Sequence, residues 1–593
     1  MVKAHIDIAL PEEAAGAAYK IVKKELIEPF ADISGEGRLR EHDWSLNGRI
    51  RTNGQVIEET IEMAGGDPDA VLLKGPGITP TREQVLSALK ELGDDRRPED
   101  LSKLATGTPN GYMRGHWLVK GNLERYENPG FSKLIDTVLP DYAGAGKVET
   151  LFSEGGRMKD AQCVVPDDDV EVSVEFNHKL VRGPEKLSAG SPVFFKTTKC
   201  ADVEALCRQA VERGKEIVFM SKYTVRPELD GEKKKIYNDV REAVGLDRRE
   251  GNCGDIVDAA FARLLTRPVK DDLTVLVPDP SYGPKVAAVL AAVYEKGVKK
   301  PADDFSVCRF SAGKSEYGGL NKTVQTDGFF RVSIGGRDIR VPVKAGDMFE
   351  EMHYDYADAV RYVRQVFDQA GKKNYQRVVF AFDETDPFDV PVVKAARDEA
   401  LHRKRVEGED FFIMPPDQCA VKMFTDPFSG KTCYAYDNLW GDIVSDAMDL
   451  GASIASVNSV ILLADGRVWP EMGGAGTAPD LMEKAKRDGF LRYDPVPIIE
   501  GLSIAFTQAA AREPENGLLA AYAKGLHDAC ADVLAEGIAT PDLVDKLKSE
   551  TKTGVDTESF VRAVRIRLTE KLRGPQAAAA MKDRFKNEMR EIR

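Results

Sequence analysis

Histidine is scarce in this chain: seven among 593 residues, with no HExxH pair, so a zinc hydrolase of that design has no support. There is no GxSxG elbow, which removes the commonest serine-hydrolase geometry. No apolar run approaches the ~20 residues of a membrane span; KVAAVLAAVY is among the longer candidates and is far too short. Positive charge is in deficit. The net charge is -14 and the pI about 5.3, which argues against general nucleic-acid binding. A small anionic substrate needs only a local positive site and stays open. The 8 cysteines, Cys163, Cys200, Cys207, Cys253, Cys308, Cys419, Cys433 and Cys530, form no CxxC pair, so reduced thiols are expected. The first residues, MVKAHIDIALPEE, lack a basic segment followed by a long apolar one. A cytoplasmic protein is expected.

What is present is an ordinary globular composition, 42% hydrophobic and 30% charged, in a chain too long for one core. PEEAAGAAYKIVKKELIEPF has helical periodicity, DAVLLKGPGITP reads as a buried strand entering a turn, and TREQVLSALKELG as a helix. This alternation predicts α/β layers, with a mostly helical part from about Pro497 and a charged terminal helix. A weak repeat occupies the middle. LSAGSPVFFKTTKCADVEALCRQAVERGKEIVFMSKYT and VKAGDMFEEMHYDYADAVRYVRQVFDQAGKKNYQRVVFAFDET share AG, a helix, GK and a strand containing VF. The preceding VEVSVEF and FFRVSIGG also correspond as strands.

Several places carry side chains suited to chemistry. YDNLWGDIVSDAM reads as a buried helix with Asp442 and Asp446 one turn apart. Two such oxygens suit a hard cation, although a helix cap and a solvated acid would look the same. Asp258, in GNCGDIVDAAFARLL, is a third carboxylate among apolar residues, or an exposed position on an amphipathic helix. TGTPNGYMRGHWLVKGNLER offers Thr106, Thr108, Asn110, Arg114, Lys120 and Arg125, a set fit for a multiply anionic small molecule; TPNG alone is an ordinary turn. Lys222 follows an apolar strand in VFMSKYTVRP, where a lowered pKa would make it a base and solvent exposure would make it inert. Tyr282 in VPDPSYGPK and Tyr317 in SEYGGLNKTVQTDG are candidate acids, or aromatic plugs at a core edge. PEMGGAGTAPDLMEK is a glycine-rich turn before a helix, open to close approach by a diphosphate; it is neither GxGxxG nor GxxxxGK[ST].

The order of these motifs resembles the isocitrate dehydrogenases of the monomeric type, within the β-decarboxylating dehydrogenase superfamily. The resemblance runs through DWSLNGRI, VLLKGPGITP, TPNGYMR, MSKYT, GDIVDAAF, VPDPSYG, EYGGLNKTVQTDGFFRV, KAGDMF, DNLWGDIVSD, GGAGTAPD and GFLRYD. The chain is shorter than such enzymes, with losses between about Tyr126 and Phe195 and toward its C-terminal end. The resemblance implies an α/β, isocitrate/isopropylmalate dehydrogenase-like fold. Its first domain would comprise residues 1–121 and 465–593, and a larger inserted domain, residues 122–464, would contain the repeat. The active site would lie in a cleft between them.

By the same resemblance Asp258, Asp442 and Asp446 hold Mg²⁺ or Mn²⁺. Thr79, Thr108, Asn110, Arg114 and Arg125 hold a tricarboxylate, with Thr106 second to Thr108 and Lys120 competing with Arg125. Lys222 is the catalytic lysine, and Tyr317 rather than Tyr282 the acid. Lys74 contacts the coenzyme, to which Gly474, Gly476 and Thr477 of the glycine-rich turn also belong. The implied reaction is oxidation of isocitrate at its hydroxyl followed by loss of CO₂ to 2-oxoglutarate, the metal stabilising the enolate. NADP-using relatives carry a basic pair after the TAP motif. Here Asp480 and Leu481 follow it, and Glu558 falls about where those relatives have an arginine. A carboxylate accepts hydrogen bonds from a ribose 2′-hydroxyl and repels a 2′-phosphate, so NAD is expected over NADP. Arg492, matching a phosphate-binding residue, cuts the other way. Rivals are another substrate on the same fold, homoisocitrate or isopropylmalate, and a noncatalytic metal- or nucleotide-binding relative. A monomer or a homodimer is expected, with no nucleic-acid or membrane partner.

Overall fold

The computed structural model describes residues 4–35, 38–76, 82–97, 161–199, 319–438, 477–541 and 549–586, together with short stretches and single positions between them. The chain forms two compact units. Residues 1–117, 124–140 and 453–593 make the first, and residues 118–123 with 141–452 the second. No helix among the described residues is long and apolar enough to cross a membrane.

The first unit is built on a parallel sheet in which β1 (His5–Ala9) lies between β2 (Leu39–His42) and β3 (Ala70–Lys74). Alternate residues take opposite faces. Ile6, Ile8, Val71 and Leu73 join one core, and Ala9, Ala70 and Leu72 join another with Trp44, Ile57, Ile61 and Trp469. A parallel sheet this apolar needs cover on both sides. Helix α1 (Glu13–Val22), buried through Ala14, Ala15, Ala18, Tyr19 and Val22, covers the first face. With it pack α4 (Val496–Arg512), α5 (Gly517–Ala535) and α6 (Thr557–Arg573) from the far end of the sequence. Leu46 and Ile50 pack with α2 (Arg82–Leu92) in a satellite cluster. Helix α3 (Pro479–Asp488) follows the glycine-rich turn.

A buried ion pair joins the two ends of the chain within this unit. Arg38, 1% exposed, bonds both oxygens of Glu513, at 2.7 and 2.9 Å, and donates to the carbonyl oxygens of Ser34 and Ala4. Glu513 also accepts from the Ala4 N–H at 2.8 Å. The guanidinium bonds hold the Glu513 carboxyl down at about 2.

In the second unit the repeat is visible as strand pairing. Strands β4 (Val170–Phe176) and β5 (Lys179–Leu187) form one hairpin, β8 (Gly328–Ile334) and β9 (Arg337–Val343) another. The sheet order is β9-β8-β4-β5, with Ser173 opposite Ser333 across the antiparallel join. Likewise β6 (Val193–Thr198) pairs antiparallel with β10 (Met348–His353), flanked by Ala161–Val164 and Leu320–Thr323. Exchanging the two copies maps each sheet onto itself. The second copy continues into the helix Tyr356–Lys372, capped by Asp355, and into β11 (Arg377–Ala381). There β12 (Phe411–Met414), β11, β13 (Thr432–Asp437) and β7 (Phe305–Phe310) run parallel in that order.

One expectation is corrected. Tyr436 and Asp437, read from sequence as helical, end strand β13, every residue of which is buried. A fully buried parallel strand shows no alternation to distinguish it from a buried helix. The turn into the helix is made by Asp437, whose Oδ1 accepts the Trp440 N–H at 2.6 Å.

Strand β10 carries buried charge. His353, 3% exposed, shares hydrogen bonds with Glu351 at 2.6 Å and Glu185 at 3.2 Å, and Arg182 reaches Glu351 at 2.9 Å. Burial works against the charged ring, and the bonds to Glu185 and Glu351 outweigh it, so the His353 pKa is raised.

Two predictions follow from these buried groups. Glu513→Ala strands Arg38 in the core and is expected to cost about 3–5 kcal/mol in urea unfolding of the first unit. The native contribution of Glu513 is present above the ordinary carboxyl value near ~4.3 and is lost as pH falls through about 2. His353 has the opposite sign. Its contribution is complete below the ordinary value near ~6.5 and declines as pH rises through the raised folded value. His353→Gln should therefore flatten the alkaline limb of a melting-temperature profile; an unchanged limb would remove His353 as its source.

Candidate functional site

The first unit's parallel sheet has order β2-β1-β3, with α1 following β1 and α2 following β3. Ligands of open α/β sheets bind outside the carboxyl ends of the strands, where the loops after β1 and β3 lie. The sequence holds these two loops against each other. The Gly75 N–H bonds the Ala9 carbonyl at 2.9 Å and the Glu12 N–H bonds the Pro76 carbonyl at 3.1 Å. A Cβ on Gly75 would stand 2.6 Å from both the Ala9 oxygen and the Pro11 nitrogen. Only glycine permits that approach.

Glu12 braces the same loop from the other side. Its carboxylate accepts the Leu46 N–H and pairs with the buried Arg49 at 3.0 Å. This explains the DWSLNGRI motif locally: Trp44 enters the core, Ser45 caps the helix Leu46–Thr52, and Arg49 meets Glu12. The glycine-rich turn arrives at the same place, the Ala14 N–H donating to the Thr477 carbonyl at 3.0 Å. Around these contacts lies a cavity of about 540 Å³. Its lining includes Glu12, Glu13, Lys20, Asn47, Ser87 and Met482. The segments of three motifs thus border one cavity.

Lys74 ends β3 and is 6% exposed, its ammonium paired with Glu471. The two residues also form a parallel bridge, and the Met472 N–H bonds the Lys74 carbonyl at 2.7 Å. Gly501 of α4 lets the backbone of Glu471 pass close, since a Cβ there would stand 2.9 Å from its oxygen. Glu471 was not singled out from sequence. Its one signal is a carboxylate immediately before the glycine-rich turn.

Asp480 lies in the first turn of α3, where a helix favours a carboxylate, with the Lys484 ammonium 3.8 Å away. Arg492 follows the other end of that helix and bonds Asp488 at 2.6 Å. Positions 480 and 488 are separated by about 12 Å of helix at 1.5 Å per residue. The two residues therefore belong to opposite ends of α3. Thr557, at the start of α6, bonds the carbonyls of Leu491 and Tyr493 on either side of Arg492, at 3.1 and 2.7 Å. Glu558, next in line, receives Arg562 at 2.7 Å and Lys24 at 3.5 Å. Lys24 follows the C-terminal end of α1, roughly 15 Å of helix from Ala14, where Thr477 is bound. An extended dinucleotide, two ribosides joined by a diphosphate, is a ligand class with that kind of reach.

The other sequence-derived positions, Thr79, Thr106, Thr108, Asn110, Arg114, Lys120, Lys222, Asp258, Tyr282, Tyr317, Asp442, Asp446, Gly474 and Gly476, lie outside the described residues. Arg125 is described for its backbone alone, in the strand Leu123–Glu127. Among the described residues no group of three or more His, Cys, Asp or Glu is placed to hold a metal ion.

The chain is similar to known proteins over part of its length. It is 26% identical over 234 residues to the isocitrate dehydrogenase [NADP] of Azotobacter vinelandii, a match covering 38% of this chain and 31% of that protein. It is 25% identical over 213 residues to the 3-isopropylmalate dehydrogenase of Pelagibacter ubique (strain HTCC1062), covering 35% of this chain and 54% of that protein. The matches thus span about a third and about half of those relatives. A crystal structure of isocitrate dehydrogenase from Ostreococcus tauri, in complex with isocitrate and magnesium(II), superposes with TM-score 0.48 at 16% identity, over 95% of this chain and 99% of that one. Residues 265–552 match the family model of monomeric isocitrate dehydrogenase.

Proposed function

We propose that this protein oxidises isocitrate and releases CO₂ to give 2-oxoglutarate, with reduction of NAD in preference to NADP and a requirement for Mg²⁺ or Mn²⁺. The observation that carries the coenzyme half is the meeting of the Gly75–Pro76, Glu12–Ala14 and Thr477 segments at the carboxyl ends of β1 and β3, with Glu12 and Glu13 also lining a cavity. The family match over residues 265–552 supports the isocitrate half.

In this reading Arg114, Arg125 and Lys120 neutralise the substrate carboxylates, and Thr79, Thr106, Thr108 and Asn110 orient them. Lys222 takes the hydroxyl proton as hydride leaves the same carbon. Tyr317 returns a proton to the carbon left by CO₂. Asp258, Asp442 and Asp446 would hold the divalent ion, which when bound supplies positive charge beside developing oxyanions.

NAD preference rests on Asp480 and Glu558, acids that lie in the first turns of α3 and α6. Arg492 and the NADP-using relative named above favour the opposite choice. Another 2-hydroxy acid is the competing reading, and the named 3-isopropylmalate dehydrogenase is the observation behind it.

A grid of isocitrate, homoisocitrate and isopropylmalate against NAD and NADP, with Mn²⁺ and with chelator, separates these readings by absorbance. Isocitrate with NAD should give the highest kcat/KM, and chelator should abolish it. Asp480→Lys should raise the NADP-to-NAD ratio of kcat/KM; a ratio that does not move counts against Asp480. Lys222→Met should lower kcat by about 10²-fold or more, the typical contribution of a positioned proton-transfer group.

A further inference from the structure

We infer that the strands which the two repeats contribute to the second unit carry a charge key: each copy's face fits the other copy, from its own chain or from a second chain, and rejects its like. Laying Ala189-Gly190 on Ala345-Gly346 matches Glu175 to Arg331, Phe194 to Glu350, Phe195 to Glu351 and Lys196 to Met352. The strand pairing agrees with that match in both sheets. Glu175 faces Arg331 across β4 and β8, and Phe195 faces Glu351 across β6 and β10. The axis that exchanges the copies therefore crosses one sheet at the first pair and the other sheet at the second. At such an axis two identical copies would set a residue against itself. Here Glu175 is instead ion-paired with Arg331. One position from the second crossing, Lys196 faces Glu350 and bonds it at 3.1 Å, the side chains 1% and 3% exposed. Arg182 reaches Glu351 at 2.9 Å, and Glu185 meets His353 at 3.2 Å. Every one of these pairs takes one partner from each copy.

The same register dictates what a like pairing would do. Two second copies would set Arg331 against Arg331 and Glu351 against Glu351, with Glu350 opposite Met352. Their buried carboxylates would lose Lys196 and Arg182, which belong to the first copy. Two first copies would set Glu175 against Glu175 and place the buried Lys196 opposite Phe194. Like charges directly opposite in a sheet are destabilising, and a buried ion deprived of its partner is strongly so. Both like pairings are thus penalised at the axis and beside it, while the unlike pairing is charge-matched. Specificity of this kind comes from the repulsive element as much as from the attractive one. A clasp mismatched within its own chain still presents strands that the unlike copy of a second chain completes, by reciprocal exchange of identical elements. The partner that fits this surface is therefore a second copy of this chain, joined through two unlike clasps and never through a like one.

The test uses the full chain as wild type, Lys196→Glu, Glu350→Lys and the double variant Lys196→Glu/Glu350→Lys. Each single variant sets like charges face to face and should lower the melting temperature by about 10 °C. The double variant should regain at least half of that loss, since the pair is restored with its signs exchanged. The two single variants are then produced together in one cell with different tags and purified through both. Across such a pair of chains the two substituted strands match each other, and so do the two unsubstituted ones. The doubly tagged species should therefore melt near doubly tagged wild type. Glu175→Arg, Arg331→Glu and their double variant repeat the scheme at the part-exposed pair, with a smaller shift of the same pattern, and carry the test if the buried substitutions do not fold. Single variants that melt like wild type, or a double variant that melts as low as the singles, overturn the inference. So does co-production that yields no species with both tags, or one that melts as low as either single variant alone.

Discussion

The bond between Arg38 and Glu513 is the constraint on which the first unit depends, because it closes a core whose two halves lie at opposite ends of the sequence. Apolar burial does most of the energetic work there: Ile6, Ile8, Val71 and Leu73 are sealed by α4, α5 and α6. That burial is tolerant of small slips between sheet and helices. A bidentate pair that also takes the Ala4 N–H is not. Its two charges cost desolvation energy, and an apolar replacement of the same shape could match its stability. What the pair adds is register. The start of β1, the residue before β2 and the end of α4 are fixed against one another, and Gly75 and Pro11 meet only when β1 and β3 are in register.

The second unit solves a related problem by duplication. Two hairpins, β4–β5 and β8–β9, pair through their inner strands, as two subunits of a dimer would through a shared sheet. Here a single chain supplies both. Tethering turns a bimolecular association into an intramolecular one, so the clasp forms at any protein concentration. Copies freed from symmetry can diverge. Strand β10 carries Glu350, Glu351 and His353 where β6 carries Phe194, Phe195 and Thr197, and both strands are buried throughout. The charges on β10 are accommodated because Lys196, Arg182 and Glu185 face them.

Local pattern made much of this legible. The predicted helices at PEEAAGAAYKIV and REQVLSALKEL and the strand AVLLK occur as read, since each pairs a clear period with a clear stop. The repeat was legible through its AG and GK punctuation, and its meaning as a strand-exchanged clasp needed the pairing. Strand β13 was misread because burial on both faces erases the period. Where the loops after β1 and β3 meet, the glycine-rich turn and the KGP segment stood out by composition. Glu471 and Arg562 did not, because their roles are defined by partners 397 and 4 residues away, on Lys74 and Glu558, and no periodicity marks a pairing of the first kind.

Charge near the two proposed selectivity acids shows why proximity alone cannot decide the coenzyme. Asp480 has Lys484 beside it and a helix N-terminus beneath it; Glu558 has Arg562 and Lys24. Each carboxylate is largely neutralised by its own neighbours, and salt screens what remains beyond about 10 Å. Neither can repel a phosphate from a distance. Discrimination must act at contact, where a phosphate oxygen and a carboxylate oxygen compete for the same N–H donors. A carboxylate whose donors are fixed by other groups can be exchanged for the phosphate; one whose donor is a loose surface lysine offers little to exchange. Glu558, backed by Glu25 and Phe585 through Arg562, is of the first kind.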